Sequence, residues 1–162
     1  MTERLFPLEN MPTNLFNVDF LDFLELLDKH DVDFLLVGGY AVILHGYVRS
    51  TGDLDLWINK TSKNYNNLKK AYLDFGAPIF SKEEFESDKF DVWSMGNEPR
   101  KIEILTHVDG LVFEESKKNC NWLVLEKSKV PYIDFDDLIK NKIASGRYKD
   151  LADIEALKKK KE

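Results

Sequence analysis

The sequence predicts an α/β (α+β) domain in which a mixed central sheet is flanked by helices. Short apolar runs typical of strands alternate along the chain with segments whose apolar residues recur every three or four positions, as in helices. The joints between these segments are short, and no repeat or linker interrupts them. The chain has 162 residues, of which 43% are apolar, and this suits one domain with one core. We therefore expect a single domain over residues 1–162, with an N-terminal extension at 1–17 and a C-terminal helical segment at 134–162.

Apolar spacing and glycine positions predict the elements of the first half. Apolar residues at three- and four-residue intervals indicate an amphipathic helix from about 19 to 30. The run DFLLV that follows is typical of a buried strand, and Gly38 and Gly39 end it. A helix over YAVILHGY, a strand over DLDLWI and a helix over SKNYNNLKKAYLDFG come next, the last with Gly76 as its C-terminal stop.

The second half predicts a hairpin followed by more alternating elements. FDVWSM and KIEILTH are strand-like and are separated by the turn-like GNEPR. A short helix at about 110–118, a strand over NWLVLE and two closing helices at about 135–145 and 149–159 complete the chain.

Composition narrows the class of protein. A single cysteine, Cys120, excludes an intramolecular disulfide and a Cys-rich zinc site. The N-terminal residues MTERLFPLENMPTNLF show no signal-peptide pattern and the apolar runs are short, so we expect a cytoplasmic protein without a membrane partner. A formal net charge of -6 argues against a broad basic face that wraps nucleic acid.

Two aspartates in the strand DLDLWI are the strongest functional signal. Successive strand residues point to opposite faces, so Asp53 and Asp55 share one face, with Cα atoms roughly 7 Å apart, while Leu54 and Leu56 point into the core. A pair of ionised carboxylates is unfavourable without a counter-ion. The simplest alternative is a solvated acidic edge strand.

Three neighbouring features favour a site over that alternative. VGGY follows a buried strand and opens a helix, where backbone amides suit a phosphate, and RST supplies a guanidinium and hydroxyls just before the aspartates. KIEIL places Glu103 on a strand that, lying beside the first, would bring it within about 5 Å of the pair. Three carboxylates of this kind suit Mg²⁺ or Mn²⁺, with triphosphate oxygens completing the coordination. Asp91 in FDVWSM is the rival for the third acid.

These residues resemble the nucleotidyltransferase-fold (DNA polymerase β-like) superfamily. Its signature is a Gly-Gly or Gly-Ser turn, a gap of roughly a dozen residues, an acid-x-acid strand and a third acid on a later strand. Within it, GGYAVILHGYVRSTGDLDLWI, KIEILTHVDGLVFEES and DLIKNKIASGRYKDLADIEAL look like segments of small bacterial proteins related to the AbiEii-type toxin nucleotidyltransferases. One departure is Tyr40, which stands where the wider superfamily often has a serine, so Ser50 or Thr51 would supply the hydroxyl contact with phosphate.

The resemblance implies a nucleotidyltransferase fold whose C-terminal helices close the cleft. It also implies a metal-dependent enzyme that transfers a nucleoside monophosphate from an NTP to an acceptor hydroxyl and releases pyrophosphate. In this interpretation Asp53, Asp55 and Glu103 bind two Mg²⁺ or Mn²⁺ ions and carry the catalysis. The nucleotide-binding residues would be Gly38, Gly39, Arg49, Ser50, Thr51, Lys142 and Arg147.

The role of Lys142 is open in the sequence. It falls on the apolar stripe of FDDLIKNKIAS with Phe135, Leu138, Ile139 and Ile143. Either its ammonium reaches water while its stem covers apolar surface, or it faces the cleft and meets the triphosphate. Arg147 would be a second phosphate contact, with Asp150 or Asp153 orienting basic side chains rather than binding metal.

The acceptor is also open. A toxin-like enzyme would act on tRNA or protein. The short basic C-terminal segment could hold the acceptor end of a tRNA. The alternatives are a small-molecule (antibiotic) nucleotidyltransferase and a non-catalytic nucleotide-binding module, including one that pairs with an antitoxin partner.

Overall fold

The computed structural model describes Leu5–Phe6 and residues 15–162 of the chain. Its helices are α1 (Val18–Lys29), α2 (Gly38–Leu44), α3 (Ser62–Phe75), α4 (Lys82–Glu86), α5 (Phe113–Lys118), α6 (Phe135–Ser145) and α7 (Tyr148–Lys161). Its strands are β1 (Leu5–Phe6), β2 (Phe34–Val37), β3 (Asp53–Ile58), β4 (Val92–Met95), β5 (Lys101–Leu105), β6 (Asn121–Val124) and β7 (Lys129–Tyr132).

The strands form one mixed sheet, in the order β1-β6-β7-β2-β3-β5-β4. Strand β3 pairs antiparallel with β2 and parallel with β5, and β4 pairs antiparallel with β5. The mixed sheet and the β4–β5 hairpin are therefore confirmed. The pairing also sets β3 and β5 side by side with their chains running in the same direction, which brings equivalent positions of the two strands together.

Local sequence signals account for most helix ends. The side chains of Asn17 and Thr61 accept hydrogen bonds from the third residues of α1 and α3, as N-caps do. Gly76 and Gly146 adopt left-handed backbone conformations, with φ of 88° and 65°, where α3 and α6 end. The predicted bounds of these helices agree with the structure to within a residue or two, and the predicted bounds of α6 are identical to those observed.

Apolar side chains cover the two faces of the sheet unequally. The larger core lies on the face that Leu54, Leu56 and Ile58 of β3 share, where it packs against α1, α3 and α4. The smaller core lies on the opposite face around Trp57 and packs against α5, α6 and α7. Because side chains alternate along β3, the face that carries Trp57 also carries Asp53 and Asp55.

Several elements differ from those predicted. The predicted extension 1–17 contains β1, which pairs parallel with β6, while residues 1–4 and 7–14 lie outside the described part of the chain. Helix α4 is signalled by a capping box, Ser81 with Glu84, which the prediction passed over. Strand β7 contains Pro131, a residue that argues against a strand because it has no N–H for the ladder, yet β7 pairs along its length with β6.

Ile143 was wrongly placed on the apolar stripe of α6. It is 60% exposed, whereas Leu138 is buried and Ile139 is partly buried in the smaller core. No helix in the described ranges combines the length and apolar character that crossing a membrane requires.

Candidate functional site

Asp53 and Asp55 lie on one face of β3, as the alternation of the strand predicts. Leu54 and Leu56 are fully buried in the larger core on the other face, and the two aspartates are half-buried. Apolar residues therefore fix the strand in a register that holds both carboxylates on the opposite side.

Glu103 of β5 completes a group of three carboxylates. Asp55 stands opposite Glu103 in the parallel pairing of β3 with β5. One carboxylate oxygen from each of Asp53, Asp55 and Glu103 lies within 4.8 Å of the others. Asp91 precedes β4, the strand beyond β5, and lies along the same cavity but outside this group. The structure thus brings Glu103, and not Asp91, to the aspartate pair.

The carboxylates fit a divalent metal ion. Asp53 Oδ1 and Asp55 Oδ1 are buried, and neither has a hydrogen-bond partner within the described ranges. Burial, together with the neighbouring Glu103 and Asp53 carboxylates, raises the pKa of Asp55 to about 7. Burial and Glu103 also raise the pKa of Asp53. Unsatisfied hard oxygen atoms whose ionisation is opposed by their neighbours are the donor set that Mg²⁺ or Mn²⁺ stabilises.

Gly38 and Gly39 allow the backbone to lie directly against the site. Gly38 has a φ of +70°, and a Cβ there would overlap Asp55 Oδ2. A Cβ on Gly39 would overlap Thr51 Oγ1 and lie 3.3 Å from Arg49 Nη1. Since Val37 pairs with Asp55, the chain leaves β2 beside the carboxylates and has room there only for glycine.

A cavity of about 610 Å³ opens over the three carboxylates. One wall carries the acids, with Gly38 and Gly39 beside them. Helices α6 and α7 and the joint between them supply another wall, with Lys142, Ser145, Arg147 and Lys149. The cavity forms because the smaller core covers the sheet around Trp57 but leaves the acid end of β3 and β5 open.

The wall formed by α6 and α7 is built on a buried cluster of charges. Lys142 Nζ lies 3.1 Å from Asp150 Oδ1 and 2.9 Å from Asp153 Oδ2, and Lys142 is only 4% exposed. Arg49 donates to both oxygens of Asp153, from Nε at 2.8 Å and from Nη2 at 3.0 Å. Arg147 Nε donates to Asp150 Oδ2 at 2.8 Å. We call these five residues the ion cluster.

Hydrogen bonds decide the ionisation of the two aspartates in the ion cluster. Burial opposes ionisation of Asp150, but donors from Arg147, Lys142 and Ser145 outweigh it and hold its pKa well below the usual range. Burial likewise opposes ionisation of Asp153, and Arg49 and Lys142 lower its pKa. Both aspartates therefore stay ionised and orient the cations around them, as predicted.

The structure resolves part of the question about Lys142. The alternative in which its ammonium reaches water is wrong, because the ammonium is buried against two carboxylates. Lys142 lines the cavity, as do Arg49 and Arg147. Ser50 and Thr51 do not line it: Ser50 is exposed, and Thr51 packs against Gly39. A hydroxyl contact with phosphate from either residue stays a prediction.

Sequence reasoning assigned no site role to two polar residues of the cavity, Lys149 and Asn141, or to Lys101 beside the carboxylates. Lys149 is exposed at the start of α7 and forms no ion pair within the part of the chain that the structure describes. Asn141 lines the cavity from α6 and donates to the Asp109 carbonyl at 3.1 Å. Lys101 forms an ion pair with Glu103, with 2.8 Å between Nζ and Oε1. The period of two in KIEIL, which revealed Glu103, could also have revealed Lys101 on the same face.

Comparison of the chain with protein-family models and with curated proteins finds no match.

Proposed function

We propose that the protein is a metal-dependent nucleotidyltransferase, which transfers a nucleoside monophosphate from an NTP to an acceptor hydroxyl and releases pyrophosphate. One observation carries the proposal. Three carboxylates from two parallel strands meet in a cavity that Arg49, Lys142, Arg147 and Lys149 also line. Both features suit a metal-bound triphosphate, because its metal ion needs oxygen ligands and its phosphates need positive charge.

Asp53 and Asp55 would hold the metal ions, because their buried oxygens lack other partners in the described structure. Mg²⁺ or Mn²⁺ would neutralise the phosphates and lower the pKa of the attacking hydroxyl. Glu103 lies beside both aspartates and would complete the metal site on the side of β5.

The triphosphate would lie between the glycines and the ion cluster. Gly38 and Gly39 line the cavity without side chains, so their backbone approaches a phosphate closely. The ion cluster contains three cations, Lys142, Arg49 and Arg147, against two carboxylates, which leaves one net positive charge to face the ligand. Exposed Lys149 adds another.

The proposed reaction needs positioning rather than a protein nucleophile. The acceptor oxygen attacks the α-phosphorus, the bond from that phosphorus to the oxygen that bridges it to the β-phosphate breaks, and pyrophosphate leaves. The hydroxyl proton passes to Glu103, whose side chain is 21% exposed and accepts from Lys101.

The test follows the α-phosphate. The protein is incubated with each α-³²P-labelled NTP, Mg²⁺ and a cell extract, and RNA, protein and small molecules are then separated. We expect label in one fraction with α-labelled but not with γ-labelled nucleotide, because the β- and γ-phosphates leave as pyrophosphate. The labelled fraction identifies the acceptor as RNA, protein or a small molecule.

The matched controls are Asp53→Asn and Asp55→Asn, which keep the shape of the side chain and remove its charge. Loss of labelling in both variants would support the metal role. Binding of NTP without transfer from any α-labelled nucleotide would contradict the proposed transferase activity and favour a non-catalytic nucleotide-binding module.

A further inference from the structure

Lys101 occupies an unexpected place for a cation, on the same strand face as the candidate metal ligands. It pairs with Asp53 across β3 and β5, two positions before Glu103 on its own strand. Its ammonium lies 2.8 Å from Glu103 Oε1, and its side chain is 29% exposed. A positive charge is thus already present at the carboxylates that would receive a metal ion.

The three carboxylates differ in how they are satisfied. Asp53 Oδ1 and Asp55 Oδ1 are buried without a hydrogen-bond partner in the described ranges, whereas Glu103 accepts from Lys101. The ammonium of Lys101 lies 2.8 Å from Glu103 Oε1 and occupies a position where a metal ion would otherwise approach that carboxylate. An ammonium and a divalent cation bind the same carboxylate lone pairs, and two cations bound to one carboxylate group repel each other.

We infer that Lys101 competes with divalent metal for Glu103 and so determines the metal affinity of the site. This inference rests on the proposed function for the metal site itself. In the protein without nucleotide, Asp53 Oδ1 and Asp55 Oδ1 have no hydrogen-bond partner in the described ranges, while Glu103 becomes a ligand only after the ammonium moves away. Metal binding without a triphosphate is therefore weak, and the added negative charge of an NTP is needed to shift the exchange towards the metal.

The experiment measures Mn²⁺ binding by calorimetry on the full chain without nucleotide. Lys101→Met keeps much of the apolar stem and removes the ammonium, so Glu103 becomes available and the repulsion disappears. We expect Mn²⁺ to bind about tenfold more tightly than in the unsubstituted protein, and the melting temperature to rise more with Mn²⁺ than it does in that protein. Lys101→Arg keeps the cation and should show no such gain. Lys69→Met, at an exposed position of α3, controls for the loss of a remote lysine.

Mn²⁺ affinity that is unchanged or weaker in folded Lys101→Met would overturn the inference, and so would a gain of equal size in Lys101→Arg. If neither the unsubstituted protein nor Lys101→Met binds Mn²⁺ at millimolar concentration, the inference is also overturned. If Lys101→Met does not fold, Lys101→Gln is read by the same criteria. The measurement uses no acceptor and no turnover. A gain in affinity without nucleotidyl transfer would therefore reject the proposed function alone, and transfer without the gain would reject the inference alone.

Discussion

Replacing Lys142 by methionine tests the buried ion cluster directly. The substitution keeps most of the packing volume and deletes an ammonium that contacts Asp150 at 3.1 Å and Asp153 at 2.9 Å. All three residues are at most 4% exposed, so neither carboxylate regains water when the ammonium is lost. We therefore expect the substitution to destabilise the protein.

The size of the loss follows from the partners that remain. Removing one member of a buried ion pair typically costs about 3 to 5 kcal/mol, because it leaves a buried charge uncompensated. Asp150 keeps Arg147 and Asp153 keeps Arg49, which places the expected loss near the lower end, about 3 kcal/mol. For a chain of this length, that corresponds to a fall in melting temperature of roughly 6 to 12 °C.

The assay is thermal and urea unfolding without ligand. Lys140→Met, an exposed substitution on the same helix, serves as the control and should change stability by less than about 0.5 kcal/mol. Adding Asp150→Asn to Lys142→Met removes a buried carboxylate whose remaining cation, Arg147, is largely exposed, and we expect it to recover about half of the loss. A melting temperature within 2 °C of the unsubstituted protein, or no recovery in the double variant, would refute the reasoning.

Four further outcomes test the carboxylates and the glycine beside them. Asp55→Asn should abolish nucleotidyl transfer yet raise the melting temperature of the metal-free protein, because it removes repulsion from Asp53 and Glu103. Glu103→Gln should lower kcat/KM about a hundredfold and Asp91→Asn only slightly, since Glu103 alone of the two joins the carboxylate group. Gly38→Ala should lower the melting temperature by several degrees, because its φ is +70° and its Cβ would overlap Asp55. Mn²⁺ affinity should rise from pH 5 to pH 7, since the pKa of Asp55 is about 7 and only the ionised carboxylate binds metal.

The raised pKa of Asp55 also predicts how the stability of the metal-free protein changes with pH. The folded protein keeps a proton on Asp55 up to about pH 7, whereas in the unfolded chain an aspartate loses it near pH 4. The unfolding free energy should therefore fall as pH rises through this interval and level off above it, and Asp55→Asn should remove that fall. A flat profile in both proteins would contradict the raised pKa. Unfolding of Asp55→Asn at room temperature would show instead that the carboxylate is structural. A larger rate loss in Asp91→Asn than in Glu103→Gln would show that Asp91, and not Glu103, is the third acid.

Local periodicity was sufficient for much of the fold and for the acid wall of the site. The alternation in DLDLWI and KIEIL assigns faces within each strand, and two adjacent strands then bring Asp55 and Glu103 together. The sequence also places Asp150 and Asp153 three residues apart, on one face of α7, which is enough to predict that they act on common partners.

Contacts between distant segments were beyond the reach of such patterns. Arg49 and Asp153 are 104 residues apart in the chain, and no local signal pairs them. The burial of Lys142 likewise depends on how α7 packs against α6 after the turn at Gly146, which side-chain spacing within α6 does not determine. Strand β7 was missed for a different reason, since Pro131 weakens the local strand signal while pairing with β6 supplies the stabilisation.

The ion cluster connects the stability of the last helix to the chemistry of the cavity. Asp150 and Asp153 are the contacts through which α7 holds Arg49 and Lys142, and both cations also line the cavity. Buried charges of this kind rarely increase stability over apolar packing of the same volume, so their presence is explained better by the ligand than by the fold. The one cation in excess over the carboxylates is available to pair with phosphate oxygens. The same residues should therefore bind triphosphate more tightly than their individual exposure suggests, and NTP should protect α7 from proteolysis in the unsubstituted protein more than in Lys142→Met.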